Sequence, residues 1–153
     1  MNLALHVNGR AATVDCEPTD MLLDVLRAQG LTSVRETCGI GVCGACTVLL
    51  DGEPVTGCLT MAAHAGGRDI TTVEGLGGTH PVQRAFVDAH AFQCGWCTPG
   101  FVLAAKRLLE ENADPSDAEI AEALGGNLCR CGSYVKIGDA VRRAGAEMRR
   151  ARP

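Results

Sequence analysis

The stretch RETCGIGVCGACTVLLDG, residues 35–52, places thiols and glycines together and is followed directly by a predicted strand. With one more cysteine downstream, it supplies four thiols: Cys38, Cys43, Cys46 and Cys58. A cluster of iron and bridging sulfide needs four thiolates that converge from a wrapping loop. Gly39, Gly41 and Gly44 suit such a loop, because glycine reaches positive φ without steric cost and lets backbone N–H groups approach sulfur. This stretch therefore predicts an iron–sulfur site.

The spacing of these cysteines distinguishes between kinds of metal site. Four residues separate Cys38 from Cys43 and two separate Cys43 from Cys46, which is the opening spacing of a plant-type [2Fe–2S] ferredoxin. A structural zinc site usually has two CxxC knuckles, which this spacing does not provide. A Rieske centre needs two histidines beside two cysteines, and a bacterial [4Fe–4S] site needs a CxxCxxC run; neither pattern is present. The first set predicts a two-iron cluster.

A second set of four cysteines lies in two motifs of the C-terminal half. The motifs are QCGWCTPG (93–100), with Cys94 and Cys97, and GNLCRCG (126–132), with Cys129 and Cys131. Spacing alone leaves an iron–sulfur cluster, a zinc site and a redox dithiol open for a CxxC pair combined with a distant CxC pair. Cys97 precedes a predicted helix start, where the helix dipole favours a thiolate.

The composition of the whole chain narrows the function classes. The 153 residues carry a formal net charge of −4, which argues against a nucleic-acid binder, because such proteins usually present a basic face. Nine cysteines without a signal peptide argue against a disulfide framework, and we expect the ninth, Cys16, to be a small buried apolar residue. No run approaches the roughly 18 apolar residues of a membrane span, so we expect a cytoplasmic protein. No nucleophile with a base stands out, so we assign no catalytic residue.

Hydrophobic patterning divides the chain into a domain at residues 1–76 and a domain at residues 77–153. The first domain is predicted to be a small mixed sheet with hairpin turns at Asn8-Gly9 and Asp51-Gly52. One helix is expected in this domain, starting near Thr19 and stopping at Gly30. The glycine-rich EGLGG (74–78) is expected to be a linker.

The second domain is predicted to be entirely helical. Helix starts are indicated at Pro81, at Thr98-Pro99 as N-cap and first residue, and at the capping box from Ser116 to Glu119. A final helix is expected from about Ser133 towards Arg150. One cysteine pair falls in the turn inside each pair of helices, which suggests two helical hairpins facing each other across a shared ligand.

Three motifs together carry a family resemblance: ETCGIGVCGACTV (36–48), QCGWCTPG (93–100) and GNLCRCGSY (126–134). In this order and at these separations they resemble the small iron–sulfur subunit of the molybdenum hydroxylases, the xanthine oxidase family. The resemblance covers essentially the whole chain. Trp96 departs from the family motif, which usually has Phe or Tyr at this position, and we expect a variation in packing only.

The resemblance implies an α+β fold with two cluster-binding domains. The first would be a β-grasp, plant-type ferredoxin-like domain, and the second a four-helix bundle, each with one [2Fe–2S] cluster. The implied ligands are all eight cysteines named above: Cys38, Cys43, Cys46, Cys58, Cys94, Cys97, Cys129 and Cys131. Gln93 and the Cys131 sulfur would lie close enough to a pterin to hydrogen-bond it.

The resemblance also implies partners. Substrate would be oxidised at a molybdenum–pterin centre in a large subunit, and electrons would pass through both clusters to FAD in a medium subunit, in a dimer of heterotrimers. The helical-domain cluster would be nearer the molybdenum, and the first cluster would be nearer the flavin. The alternatives from the residues are a freestanding two-cluster ferredoxin-like carrier and a zinc-stabilised interaction module.

Overall fold

The computed structural model describes residues 1–151; residues 152 and 153, the last two of the predicted helical domain, lie outside the described residues. Within residues 1–151 the chain forms a mixed sheet and five α-helices, a two-domain α+β fold as predicted at that level. The strands are β1 (Asn2–Val7), β2 (Arg10–Asp15), β3 (Thr47–Leu50), β4 (Glu53–Thr56) and β5 (Asp69–Thr71). The helices are α1 (Leu22–Ala28), α2 (Pro81–Asp88), α3 (Thr98–Glu111), α4 (Asp117–Leu124) and α5 (Tyr134–Ala151). In this part of the chain, no helix combines the length and the apolar character that crossing a bilayer requires.

The sheet has the strand order β2-β1-β5-β3-β4. Two antiparallel hairpins form its sides, and β5 lies between them, parallel to β1 and antiparallel to β3. Both predicted hairpin turns are confirmed. Asn8 and Gly9 have φ of 52° and 75°, and Asp51 and Gly52 have φ of 51° and 86°, as tight two-residue hairpin turns require.

The first hydrophobic core lies between the sheet and α1. Leu5, Leu26, Val48 and Ile70 are almost completely buried in it. The helix begins at Leu22 and not near Thr19, because the Asp20 carboxylate accepts a hydrogen bond from the Glu17 N–H and Met21 forms an isolated bridge with Met61. These contacts hold the residues before Leu22 in a turn. The predicted stop at Gly30 is confirmed, with φ of 83° just after the helix.

The second core lies among the four helices that follow. Its fully buried members include Phe86, Phe101, Leu109, Ile137 and Val141. The turn from α2 to α3 and the turn from α4 to α5 each carry one pair of cysteines, as the sequence predicted. Helix α2 packs along α5, and α3 packs against both α4 and α5.

The helix starts confirm two of the three predicted signals. Pro81 is the first residue of α2, where the His80 ring accepts from the Val82 N–H, and the capping box of Ser116 with Glu119 starts α4. The prediction that Thr98 is the N-cap of α3 is wrong. It is the first helical residue, Cys97 precedes it with helical backbone angles, and the buried Thr98 hydroxyl makes no hydrogen bond.

Helix α3 joins the two halves of the structure. It packs against β3 and β4, so that β3 is buried on both faces of the sheet. The guanidinium of Arg107 on α3 forms an ion pair with Glu53 on β4, with Nη2 and Oε1 2.7 Å apart. The predicted linker is shorter than expected, because Val73–Leu76 forms a 3-10 helix before Gly77 and Gly78 adopt positive φ.

Candidate metal centres

The first cysteine set lies at one end of the sheet. Cys38, Cys43 and Cys46 lie in the loop between α1 and β3, and Cys58 follows β4. Cys46 and Cys58 are buried, whereas Cys38 and Cys43 are half-buried. The set therefore has two thiols on the core side and two towards the surface.

Backbone N–H groups surround the Cys38 sulfur, as the glycine-rich loop predicted. Hydrogen bonds from the N–H groups of Ile40 and Cys43 lower the pKa of the Cys38 thiol to about 6. The loop can turn in this way because Gly39 and Gly41 have φ of 67° and 75°. N–H groups that stabilise a thiolate are the donors that a cluster-bound sulfur requires.

The Cys46 thiol is in the opposite environment. Burial raises its pKa to about 11, because the core disfavours the charged form. A coordinated iron would supply the positive charge that such a buried thiolate lacks.

The second cysteine set lies at the turns of the helical half. Cys94 is exposed, Cys97 and Cys131 are half-buried, and Cys129 is buried. The Trp96 N–H donates to the Cys94 sulfur at 3.5 Å. Burial, with the neighbouring Cys129 thiol, raises the pKa of Cys97 to about 12, so the thiolate that we expected at this helix start is disfavoured.

Cys129 is held by hydrogen bonds to its sulfur and from its backbone N–H. Burial raises the pKa of its thiol, but hydrogen bonds from Ser133, whose N–H lies 3.4 Å from the sulfur, lower the pKa below the ordinary value. The Cys129 N–H donates to the Tyr134 hydroxyl at 2.8 Å. The Tyr134 ring packs edge-on against Phe101, with ring centroids 6.2 Å apart.

Neighbouring thiols interact in two pairs in the first set and in one pair in the second. Cys38 interacts most strongly with Cys43, Cys46 with Cys58, and Cys97 with Cys129, while Cys43 and Cys94 act more weakly on Cys46 and Cys97. Within residues 1–151, no three His, Cys, Asp or Glu side chains converge closely enough to hold one metal ion. A [2Fe–2S] cluster with four cysteine ligands divides them between two irons, so paired thiols fit a binuclear cluster better than a single ion.

Two buried polar atoms support the same fit. In the described part of the chain, Arg35 Nε and Thr98 Oγ1 are buried without a hydrogen-bond partner. Arg35 lies three positions before Cys38, and Thr98 follows Cys97 directly. Because buried donors are almost always satisfied, an unpaired donor beside each thiol set is consistent with an acceptor such as sulfide or thiolate at that place.

Hydrogen bonds join the two cysteine loops. The Leu128 N–H donates to the Cys43 carbonyl at 2.9 Å, and the buried Asn127 amide donates to the Gly44 carbonyl at 2.9 Å and to the Thr47 hydroxyl at 3.2 Å. Sequence reasoning missed this contact. The only signal was a polar Asn127 two positions before Cys129, in a motif otherwise explained by its cysteines.

The predicted pterin contacts lie side by side. The Gln93 amide donates to the Cys131 carbonyl at 3.2 Å, and Gln93 is exposed. Cys16 belongs to neither set; it is 7% exposed and lies in the first core, as predicted for an apolar role.

Trp96 does more than the packing variation that we expected. Its indole N–H donates to the Thr37 hydroxyl at 2.8 Å, and the Arg35 guanidinium lies over its ring, 4.6 Å from the centroid. Phenylalanine has no donor for the first contact. Trp96 of the second loop therefore contacts the segment that leads into Cys38 of the first.

Comparison with protein families matches both halves of the chain. Residues 5–70 match the 2Fe-2S iron-sulfur cluster binding domain, and residues 72–142 match the [2Fe-2S] binding domain. Each matched range contains one of the two cysteine sets, so the chain has two [2Fe–2S] domains.

Individual relatives agree over the whole length. The small FeS subunit of nicotinate dehydrogenase from Eubacterium barkeri is 49% identical over 148 residues, with 94% of each chain covered. In quinoline 2-oxidoreductase from Pseudomonas putida 86, a chain of 41% identity superposes with a TM-score of 0.93, covering 99% of this chain and 97% of that one. Aldehyde oxidoreductase from Desulfovibrio desulfuricans matches 97% of this chain with a TM-score of 0.92 and 44% identity, within 17% of its own longer chain. The chain belongs to the small [2Fe–2S] iron–sulfur subunits of the molybdenum hydroxylase family.

Proposed function

We propose that this chain is the electron-transfer subunit of a molybdenum hydroxylase complex. When bound, two [2Fe–2S] clusters supply one-electron chemistry between a molybdenum–pterin centre in a large subunit and FAD in a medium subunit. The chain's own residues hold the clusters and fix their distance. The observation that carries this proposal is the direct hydrogen bond from the Leu128 N–H to the Cys43 carbonyl, which connects the two thiol sets.

We assign one cluster to each domain. Residues 1–76 would form a β-grasp ferredoxin-like domain, and residues 77–153 a four-helix bundle. The positive φ of Gly77 and Gly78 and the two separate hydrophobic cores support this division, although Val73 and Leu76 pack against the second core. The proposed ligands are Cys38, Cys43, Cys46 and Cys58 in the first domain and Cys94, Cys97, Cys129 and Cys131 in the second.

Rigidity between the two sets favours electron transfer, which needs short separations and little reorganisation. Gly44 and Gly100 allow the backbones of the two domains to touch, because a Cβ built on Gly100 would lie 2.3 Å from the Gly44 carbonyl oxygen. The Asn127 amide donates to this same oxygen from a buried position. Motion of one loop against the other therefore requires breaking buried hydrogen bonds.

We propose that the large subunit covers the face with Gln93 and Cys131. The flavin subunit would cover the other end, where Ile40, Val42 and Leu59 beside the first thiol set are 68%, 59% and 60% exposed. Three large apolar side chains exposed around one site are typical of a protein interface. We propose that a dimer of heterotrimers results and that it is located in the cytoplasm.

The proposal is tested by Cys129→Ser in the full chain, reconstituted anaerobically with ferrous iron and sulfide. We expect the wild type to bind about four irons and to show two distinguishable [2Fe–2S] EPR signals, and the variant to lose one signal. Cys16→Ser is the matched control, since Cys16 is a buried cysteine outside both sets. Retention of both signals in Cys129→Ser would contradict the ligand assignment.

Purification from the native source tests the partners. We expect molybdenum and flavin to accompany the chain at stoichiometric levels. A lone chain with both clusters and no molybdenum or flavin in its company would instead support the freestanding carrier, and stoichiometric zinc would support the interaction module.

A further inference from the structure

Arg35 is held at the edge of the first cysteine loop. Its backbone N–H donates to the Ala45 carbonyl at 3.2 Å, one residue before Cys46, and Val34 next to it is almost completely buried. The backbone of Arg35 is therefore fixed beside the first thiol set. Its long side chain has no ion-pair partner among the described residues, and its buried Nε has no hydrogen-bond acceptor.

The Arg35 guanidinium is instead held by the other domain. It lies over the Trp96 ring, at the distance of a cation–π contact. The ring itself is oriented by its N–H bond to the Thr37 hydroxyl, one residue before Cys38. Trp96 is 45% exposed, so hydrophobic burial alone does not fix its position.

We propose that Trp96 is a positioning residue that holds the Arg35 charge beside the first [2Fe–2S] cluster and thereby raises the reduction potential of that cluster. This inference rests on the proposed function, because it takes Cys38 and Cys46 as ligands. A positive charge nearby stabilises the reduced cluster, which carries one more electron than the oxidised cluster. The second domain in this way adjusts the electron affinity of the first.

The proposal predicts different changes in reduction potential at the two clusters. Removal of the Trp96 side chain leaves its backbone N–H bond to the Cys94 sulfur available, so the second cluster keeps this donor. The Arg35 guanidinium, in contrast, loses the ring that holds it and is free to move into water. The larger effect on potential is therefore expected at the first cluster, whose loop holds the Arg35 backbone.

The test is a potentiometric EPR titration of the full chain, reconstituted anaerobically with ferrous iron and sulfide. In Trp96→Leu, we expect the ratio of reduced to oxidised first cluster at the wild-type midpoint to fall about threefold, or about 28 mV at 59 mV per tenfold. The second cluster should shift less than the first. The signals are assigned with Cys129→Ser, which removes the second cluster.

Matched variants show whether Trp96 acts through the charge. Arg35→Gln should lower the same potential at least as much, and the double variant should go no further than Arg35→Gln alone. Trp96→Phe keeps the ring and loses the N–H, and Thr37→Val removes only the acceptor, so these two should give equal and smaller shifts. Iron content equal to wild type shows that each variant has folded and loaded.

Three results would overturn the inference: an unchanged first potential in Trp96→Leu, shifts of Trp96→Leu and Arg35→Gln that add fully, or a shift confined to the second cluster. A wild-type chain that never shows two [2Fe–2S] signals overturns the proposed function, and this inference with it. Two wild-type signals with an unmoved potential in Trp96→Leu overturn this inference alone.

Discussion

Replacing Gly44 with alanine tests the contact between the two domains. Gly44 has φ of +65°, and a Cβ there would lie 2.4 Å from Asn127 Nδ2 and 2.4 Å from the Gly126 carbonyl oxygen. The new methyl group would meet both the side chain that anchors the second loop and the backbone next to it. Asn127 must then leave its hydrogen bonds, or the two loops must separate.

The expected cost has two parts. A left-handed conformation costs a non-glycine residue about 1–2 kcal/mol. Displacing the buried Asn127 amide from the Gly44 carbonyl and the Thr47 hydroxyl leaves its N–H donors unpaired, which costs about 1–3 kcal/mol. Gly39→Ala isolates the first part, because Gly39 has φ of +67° and a Cβ there would meet nothing within 4 Å.

Gly100→Ala isolates the second part. Gly100 does not have positive φ, but its Cβ would lie 2.3 Å from the Gly44 carbonyl oxygen and 2.8 Å from Asn127 Nδ2. We therefore expect Gly44→Ala to destabilise the interface by about 1–3 kcal/mol more than Gly39→Ala, which is about 5- to 150-fold in the opening equilibrium. Gly100→Ala should also exceed Gly39→Ala.

Hydrogen exchange measured by mass spectrometry on the cluster-loaded chain reports this opening at the Leu128 N–H, which donates across the interface to Cys43. Protection of this amide should fall much further in Gly44→Ala than in Gly39→Ala, while amides in the first strand hairpin change equally in both. Equal protection of Leu128 in the two variants would refute the reasoning, because it would mean that backbone strain alone determines the cost.

Three further predictions concern single side chains. Tyr134→Phe removes the hydroxyl that accepts from the Cys129 N–H. Because one such hydrogen bond contributes about 1 kcal/mol net, protection of the Cys129 amide from hydrogen exchange should fall about fivefold. Unchanged protection would contradict the contact. A hydrogen bond from the Arg68 guanidinium holds the pKa of Asp51 below its ordinary value of 3.8. Ionised Asp51 therefore stabilises the fold above about pH 3.8, and this stabilisation is lost as the pH falls through the lower pKa of the folded state. In Asp51→Asn, the free energy of unfolding should therefore change less with pH below about pH 4 than it does in the wild type. The same pH dependence in both proteins would show that the ion pair does not contribute to stability. Cys16→Ala should lower the free energy of unfolding in urea by about 1 kcal/mol without loss of iron, and lost iron would make Cys16 a ligand.

Elements that are encoded by neighbouring residues were predictable from the sequence. The Asn8-Gly9 turn, the Pro81 helix start and the Ser116–Glu119 capping box each depend on residues within a few positions of one another, and all three occur. The grouping of cysteines into two sets was also predictable, because spacing in each loop limits which thiols converge.

Features that depend on distant residues were not predictable. The partners of Asn127 are Gly44 and Thr47, 83 and 80 positions away, and no local pattern connects them. Trp96 likewise contacts Thr37 across 59 positions. Thr98 is not the N-cap that the Thr-Pro pair suggested, because Cys97 before it already has helical backbone angles and Thr98 is the first residue of α3. The metal ligands themselves stay a prediction.

The central position of β5 determines when the sheet can close during biosynthesis. This strand, Asp69–Thr71, enters between two hairpins that are synthesised before it, so the sheet stays open until after all four cysteines of the first set have been synthesised. The anchor from Asn127 arrives later still. The first cysteine loop therefore reaches its final, anchored structure only on a nearly complete polypeptide.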